Sequence, residues 1–224
     1  MRPAFRALVF DFDGLILETE RPEYQAWLEI YGEHGQDLSL EVWGDVIGRG
    51  PGYFDPITDL EARLGRPIDR EVVKARQKAR HQEMIDALEI LPGVADYVLE
   101  AGRLGLKLAV ASSSSRRWVT GHLAALGLDE FACVICRDDV ARAKPYPDLY
   151  LEATRCLGVA PAEAVAFEDS ANGVAAAKAA GLTCVAVPNQ LTAGLDLSAA
   201  DLRIASLAEM PLPRLLDQLL ALPA

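Results

Sequence analysis

The sequence lacks the features that mark nucleic-acid-binding and membrane proteins. Basic residues are in the minority, with 22 Lys and Arg against 33 Asp and Glu, and the formal net charge is −11 at pH 7. A surface of that sign repels nucleic acid and anionic lipid. No apolar run approaches the roughly 20 residues that a membrane-spanning helix needs. We therefore expect neither a nucleic acid nor a membrane as a partner.

Cysteine and histidine are also scarce, with four and three residues. Cys133 and Cys136 form one C-x-x-C pair in an apolar run that reads as a strand, where residues three apart point to opposite faces. That geometry disfavours a redox or zinc site, and the histidines show no ligand spacing. The apolar run at the N-terminus reaches the charged Asp11 within a few residues, so we expect no signal peptide. We therefore expect a cytoplasmic protein whose thiols are reduced.

A recurring pattern predicts the fold class. From about residue 90 onward, a helical stretch ends at a glycine and an apolar strand follows, four times over, at Gly105, Gly127, Gly158 and Gly181. Near-continuous apolar strands imply burial on both faces of a parallel sheet. Helices that alternate with such strands indicate an α/β protein with a doubly wound, Rossmann-like parallel-sheet core.

A long helical segment interrupts this pattern near the start of the chain. The first strand is Ala7–Phe10, and the next clear strand comes only near residue 106. The segment between them reads as polar helices, with Ser39 and Asp69 as N-caps. It is too long for a simple crossover. We predict a core domain of residues 1–17 and 89–224, with a small helical cap domain of residues 18–88 inserted over the end of strand one.

Polar residues follow three of the predicted strands. Strand one runs into Asp11 and Asp13, the second into Ser112–Ser115, and a later one into Glu168 and Asp169. Each motif alone is typical of a turn or a helix start. Together they lie where parallel sheets bind ligands, outside the carboxyl ends of the strands. Because bunched carboxylates repel each other, they indicate a bound cation, and oxygen ligands favour Mg²⁺.

These residues resemble the four ordered motifs of the haloacid dehalogenase-like superfamily. The motifs are Asp11-Phe12-Asp13-Gly14-Leu15, Ser112, Lys144-Pro145, and Glu168-Asp169 with Asn172-Gly173. The helical insertion resembles the small cap of the subgroup that contains β-phosphoglucomutase and the sugar- and nucleotide-phosphate phosphatases. The resemblance covers essentially the whole chain.

The resemblance implies a reaction. Asp11 would be the nucleophile that forms an aspartyl-phosphate. Asp13 would protonate the leaving oxygen and then activate water. The chain would thus be a phosphoric monoester hydrolase acting on a small phosphorylated metabolite, of the sugar or nucleotide phosphate type. We also expect a monomer or weak homodimer.

The resemblance also implies binding roles. Magnesium would be held by Asp11, Asp13 (through its backbone carbonyl), Glu168 and Asp169. The phosphoryl oxygens would be held by Ser112, Ser113 and Lys144. In the cap, Glu20 and Arg49 are candidates for contact with the rest of the substrate, Arg49 in a glycine-rich loop that we expect to face the active site.

Two alternatives stay open. The first is a phosphomutase resembling β-phosphoglucomutase, but the cap histidine of that enzyme corresponds to Glu23 here, which argues against it. The second is a non-catalytic phosphoacceptor module resembling a receiver domain. Receivers lack a long helical insertion after strand one and have no need for a proton donor at Asp13.

Overall fold

The computed structural model describes residues 4–44, 47–48, 54–85 and 88–222. Six strands are β1 (Ala7–Phe10), β2 (Lys107–Ser112), β3 (Cys133–Cys136), β4 (Ala164–Glu168), β5 (Thr183–Ala186) and β6 (Leu202–Arg203). The first four helices are α1 (Glu20–Glu33), α2 (Leu40–Gly44), α3 (Pro56–Leu64) and α4 (Arg70–Ile85). The others are α5 (Val94–Arg103), α6 (Arg116–Leu126), α7 (Asp148–Leu157), α8 (Ala171–Ala179) and α9 (Leu212–Leu220).

The strands form one parallel sheet in the order β3-β2-β1-β4-β5-β6. β1 is central, with Ala7 opposite both Lys107 and Ala164. Alternate residues of each strand enter separate apolar clusters on the two faces, as Phe10 and Val9 do in β1. Helices α5, α6 and α9 cover one face, and α7 and α8 cover the other. The predicted doubly wound α/β fold is confirmed.

The glycine pattern has the expected backbone basis. Gly127 and Gly158 adopt the left-handed conformation directly after α6 and α7, which a residue without Cβ does at low cost. The sequence reading missed β6, because two residues give no periodicity to detect. No described helix is both long enough and apolar enough to cross a bilayer.

Helices α1 to α4 have an apolar core of their own. Its buried members include Trp27, Tyr31, Trp43 and Leu60, none of which belongs to the two clusters on the sheet. Ser39, Asp55 and Asp69 accept backbone hydrogen bonds at the starts of α2, α3 and α4. The domain boundaries at residues 17/18 and 88/89 stay predictions.

One prediction about the cysteines is wrong. Cys133 of β3 and Cys156 of α7 form a disulfide, with Cα atoms 6.3 Å apart, while Cys136 and Cys184 are buried free thiols. The bond follows from the packing of α7 against β3, which brings together two residues 23 positions apart in sequence. Cys133 and Cys136 do point to opposite faces, since they belong to different clusters.

Candidate active site

A buried lysine lies at the centre of the strand ends. The Lys144 ammonium pairs with Asp11, which follows β1, and with Glu168 at 2.6 Å. Tyr150 of α7 also donates a hydrogen bond to Glu168. Burial alone would lower the pKa of Lys144, but the two carboxylates raise it above its ordinary value. Lys144 is therefore a fixed positive charge in an otherwise acidic site.

Three carboxylates surround this charge. Oxygens of Asp11, Glu168 and Asp169 lie within 4.8 Å of one another. Burial, with the neighbouring carboxylates, raises the pKa of both Asp11 and Asp169, although Lys144 opposes the shift. If all three are ionised, one ammonium leaves two negative charges uncompensated. A divalent cation would neutralise them, so the donor set fits Mg²⁺ in charge and in its all-oxygen chemistry.

The free oxygen of Asp169 supports the same fit. Asn189 donates to Asp169 Oδ2 at 2.8 Å, while the buried Oδ1 has no hydrogen-bond partner among the described residues. A buried carboxylate oxygen without a partner is costly. A metal ion bound there would remove that cost.

Two glycines allow the acids to approach the backbone closely. A Cβ on Gly14, which has φ of +81°, would lie 2.3 Å from Asp169 Oδ2. A Cβ on Gly173 would lie 1.9 Å from the carboxyl carbon of Glu168. Any side chain at either position would displace a carboxylate of the candidate metal site.

The Asp13 carboxylate accepts four hydrogen bonds. Oδ1 accepts from Thr19 Oγ1 at 2.6 Å and from Trp118 Nε1 at 2.9 Å. Oδ2 accepts from Ser114 Oγ at 2.6 Å and from Ser112 Oγ at 3.3 Å. Asp13 is thus held from the residue before α1, from the end of β2 and the loop that follows it, and from α6.

A cavity of about 450 Å³ joins these strand ends to the cap helices. Its lining includes Asp11, Asp13, Glu20, Glu23, Gly48, His81, Ser112, Ser113 and Trp118. Ser113 Oγ donates to the carbonyl of Gly48 at 3.0 Å and so ties the core to the cap. Lys144, Glu168 and Asp169 lie behind this surface, buried at the strand ends. Arg49 lies outside the described residues.

The cap side of the cavity is acidic. Burial, and the nearby charges of Glu23, Asp13 and Asp11, raise the pKa of Glu20 well above its ordinary value. Burial, with the charge of Asp13, raises the pKa of Glu23 to about 7. Neither side chain forms a hydrogen bond or ion pair with any described residue. These carboxyl groups are therefore available to a ligand.

The sequence reading missed four residues of the site: Trp118, Asn189, Tyr150 and His81. Trp118 and Tyr150 lie on the core helices α6 and α7, Asn189 on the loop after β5, and His81 on α4. No motif marks them, and only the packing of separate elements brings them to the strand ends.

The family model for haloacid dehalogenase-like hydrolases matches residues 5–181. The chain is 48% identical to YhcW of Bacillus subtilis (strain 168), named provisionally as a phosphatase, over 96% of this chain and 97% of YhcW. A crystal structure of CbbY from Rhodobacter sphaeroides in complex with xylulose-(1,5)bisphosphate is similar, with a TM-score of 0.69 and 31% identity over 92% of this chain and 96% of that one.

A Thermotoga maritima structure provisionally assigned as a β-phosphoglucomutase has a TM-score of 0.76 and 27% identity, over 96% of this chain and 99% of that one. This neighbour confirms the predicted likeness to the β-phosphoglucomutase subgroup. Together the similarities bear out the prediction of a phosphoric monoester hydrolase.

Proposed function

This chain belongs to the haloacid dehalogenase-like hydrolase family, and we propose that it hydrolyses a small phosphate monoester through an aspartyl-phosphate on Asp11, with Mg²⁺ bound. The observation that carries the proposal is the buried group of Asp11, Lys144, Glu168 and Asp169, with one unpartnered oxygen on Asp169. The substrate would be a phosphorylated metabolite small enough for a cavity of about 450 Å³.

The chemistry starts at Asp11. Its carboxylate attacks phosphorus in line, and the bond from phosphorus to the ester oxygen breaks. Asp13 gives its proton to the departing oxygen, so that an alcohol leaves. Asp13 then takes a proton from water, the water oxygen attacks phosphorus, and inorganic phosphate leaves with Asp11 restored.

Lys144 and Ser112 would hold the phosphoryl group. An ammonium has three N–H donors, and Asp11 and Glu168 occupy two of those of Lys144, which leaves one for a phosphoryl oxygen. The Ser112 hydroxyl would turn from Asp13 toward the phosphoryl group. Ser113 would act nearby, at the contact with Gly48.

Asp11, Glu168 and Asp169, with the backbone carbonyl of Asp13, would hold the magnesium ion. When bound, Mg²⁺ offsets the negative charge between the nucleophile and the phosphate. On the cap side, Glu20 and Arg49 remain our candidates for contact with the leaving group. The cytoplasmic location and the monomer or weak homodimer stay predictions.

The test is phosphate release from a panel of sugar, nucleotide and alcohol phosphates, with Mg²⁺ and with EDTA, for the wild type and Asp11→Asn. We expect metal-dependent release from at least one compound, and none from the folded variant. Release that persists in EDTA would refute the metal site, and release by Asp11→Asn would refute the covalent intermediate. Isomerisation of hexose phosphates without net release would instead favour the mutase.

A further inference from the structure

The hydrogen bond from Trp118 to Asp13 distinguishes the two oxygens of that carboxyl. An indole N–H can only donate, whereas the hydroxyls of Thr19, Ser112 and Ser114 can donate or accept. Oδ1, bonded to Trp118 at 2.9 Å, therefore stays an acceptor. A proton on Asp13 is therefore favoured on Oδ2, whose partners are both hydroxyls that can turn to accept it, whereas a proton on Oδ1 would weaken the acceptor of the indole N–H.

Oδ2 is also the oxygen that bonds to a residue of the proposed phosphate site. Ser112, our candidate for holding the phosphoryl group, is its neighbour at 3.3 Å. When the Ser112 hydroxyl turns to the phosphoryl group, Oδ2 loses that donor and can face the ester oxygen. Trp118 and Thr19 meanwhile keep Oδ1 directed away.

The Trp118 ring also contacts the cap. His81 of α4 stacks on the indole, with the ring planes 14° apart and the centroids 5.7 Å apart. His122 of α6 packs against the same indole at 4.2 Å. His122 lies on the same helix as Trp118, whereas His81 lies on the cap. Only the contact of His81 with the indole therefore depends on where the cap helices sit over the core.

We propose that Trp118 is a positioning residue that turns the Asp13 carboxyl so that Oδ2 carries the transferable proton, and that His81 holds the indole in that position from the cap. The inference rests on the proposed function, because it needs Asp13 as the proton donor. It assigns no direct contact between Trp118 and the substrate.

Leaving-group dependence tests the first part. Trp118→Phe keeps a ring for stacking but removes the N–H donor. We would measure kcat/KM for p-nitrophenyl phosphate, whose leaving group needs no proton, and for the alkyl phosphate that the wild type cleaves best. A positioning role predicts a loss for the alkyl ester that exceeds the loss for the nitrophenyl ester by about tenfold or more, because the Asp13 carboxyl becomes charged as its proton leaves and the indole then donates to a charged group. Equal losses, or none, would overturn the proposal.

The variant Asp13→Asn distinguishes failure of this inference from failure of the proposed function. We expect it to lose more kcat/KM for the alkyl ester than Trp118→Phe does, again with a smaller loss for the nitrophenyl ester. If Asp13→Asn cleaves the alkyl ester normally, the proton-donor role itself fails. If Asp13→Asn behaves as expected and Trp118→Phe shows no selectivity, only the role of Trp118 fails.

A second measurement does not depend on turnover or on how well Trp118→Phe folds. In ¹⁵N-labelled protein, the indole N–H resonance of Trp118 should move when Asp13→Ala removes its acceptor. An unchanged resonance would show that the hydrogen bond is absent in solution and would overturn the proposal.

His81→Leu tests the contribution of the cap. We expect a smaller loss with the same leaving-group selectivity, because the N–H remains but the stacked ring is gone. His34→Leu is the matched control, since His34 lies at the end of α1 and its ring bonds the carbonyl of Ile30. If the two variants behave alike, His81 has no part in positioning Trp118.

Discussion

The core side and the cap side of the cavity satisfy their polar groups in different ways. On the core side, Lys144 pairs with Asp11 and Glu168, so the ammonium already neutralises part of the carboxylate charge. On the cap side, Glu20 and Glu23 have no described partner and carry raised pKa values. The difference indicates that the two sides have different roles in binding the substrate. The core side is preorganised for a constant group, the phosphate, and the cap side needs a ligand to complete it.

Removing the lysine should break the core side most severely. Lys144→Met leaves Asp11 and Glu168 buried without their cation, and breaking a buried pair in this way costs about 3–5 kcal/mol. We expect that loss in the free energy of unfolding, measured by urea denaturation without metal, together with loss of phosphate release.

Lys178→Met is the matched control for that variant. Lys178 pairs with Asp201 at 2.5 Å, but its side chain is 35% exposed, and such pairs contribute about 0–1 kcal/mol. A similar loss of stability in both variants would mean that the buried ion pairs of Lys144 stabilise the fold no more than the partly exposed pair of Lys178.

Loss of the disulfide separates stability from catalysis. Replacing Cys133 and Cys156 together by serine opens a link between residues 23 positions apart, which the chain-entropy estimate values at ~3 kcal/mol. Because neither cysteine lines the cavity, kcat and KM should not change at a temperature where the variant is folded. A fall in kcat would show that β3 and α7 transmit strain to the strand ends.

A single added methyl group tests how tightly the core side is packed. Gly173→Ala places a Cβ 1.9 Å from the Glu168 carboxyl carbon, and overpacking of this kind costs about 1–3 kcal/mol. We expect weaker Mg²⁺ binding by calorimetry and slower phosphate release.

Gly121→Ala, within α6, is the control for Gly173→Ala. A Cβ there meets no atom within 4 Å, so the variant should gain up to about 1 kcal/mol from helix propensity. Normal Mg²⁺ binding by Gly173→Ala would contradict the close packing around Glu168.

The residues that could be predicted from the sequence are those that lie at the ends of strands. Asp11, Ser112 and Glu168 directly follow or end buried strands, so strand periodicity alone brings them to one edge of the sheet. Trp118 reaches Asp13 from a helix 105 positions away, and the disulfide joins a strand to a helix. Such contacts depend on how elements pack, which hydrophobic periodicity does not encode.

The smallest expected effect comes from the cap side. Because the pKa of Glu23 is raised to about 7 in the folded protein, its contribution to stability is complete below its ordinary pKa of about 4.3 and is lost as the pH rises through 7. The wild type should therefore lose stability between pH 5 and pH 8, and Glu23→Gln, which cannot ionise, should lose less. Tm measured in EDTA should differ between the proteins by on the order of a few degrees at pH 8, with little difference at pH 5.

Glu71→Gln, at a side chain that is 88% exposed, should follow the wild type at both pH values. Parallel pH profiles for Glu23→Gln and the wild type would mean that the cap carboxylate is already compensated, and the contrast between the two sides would no longer hold.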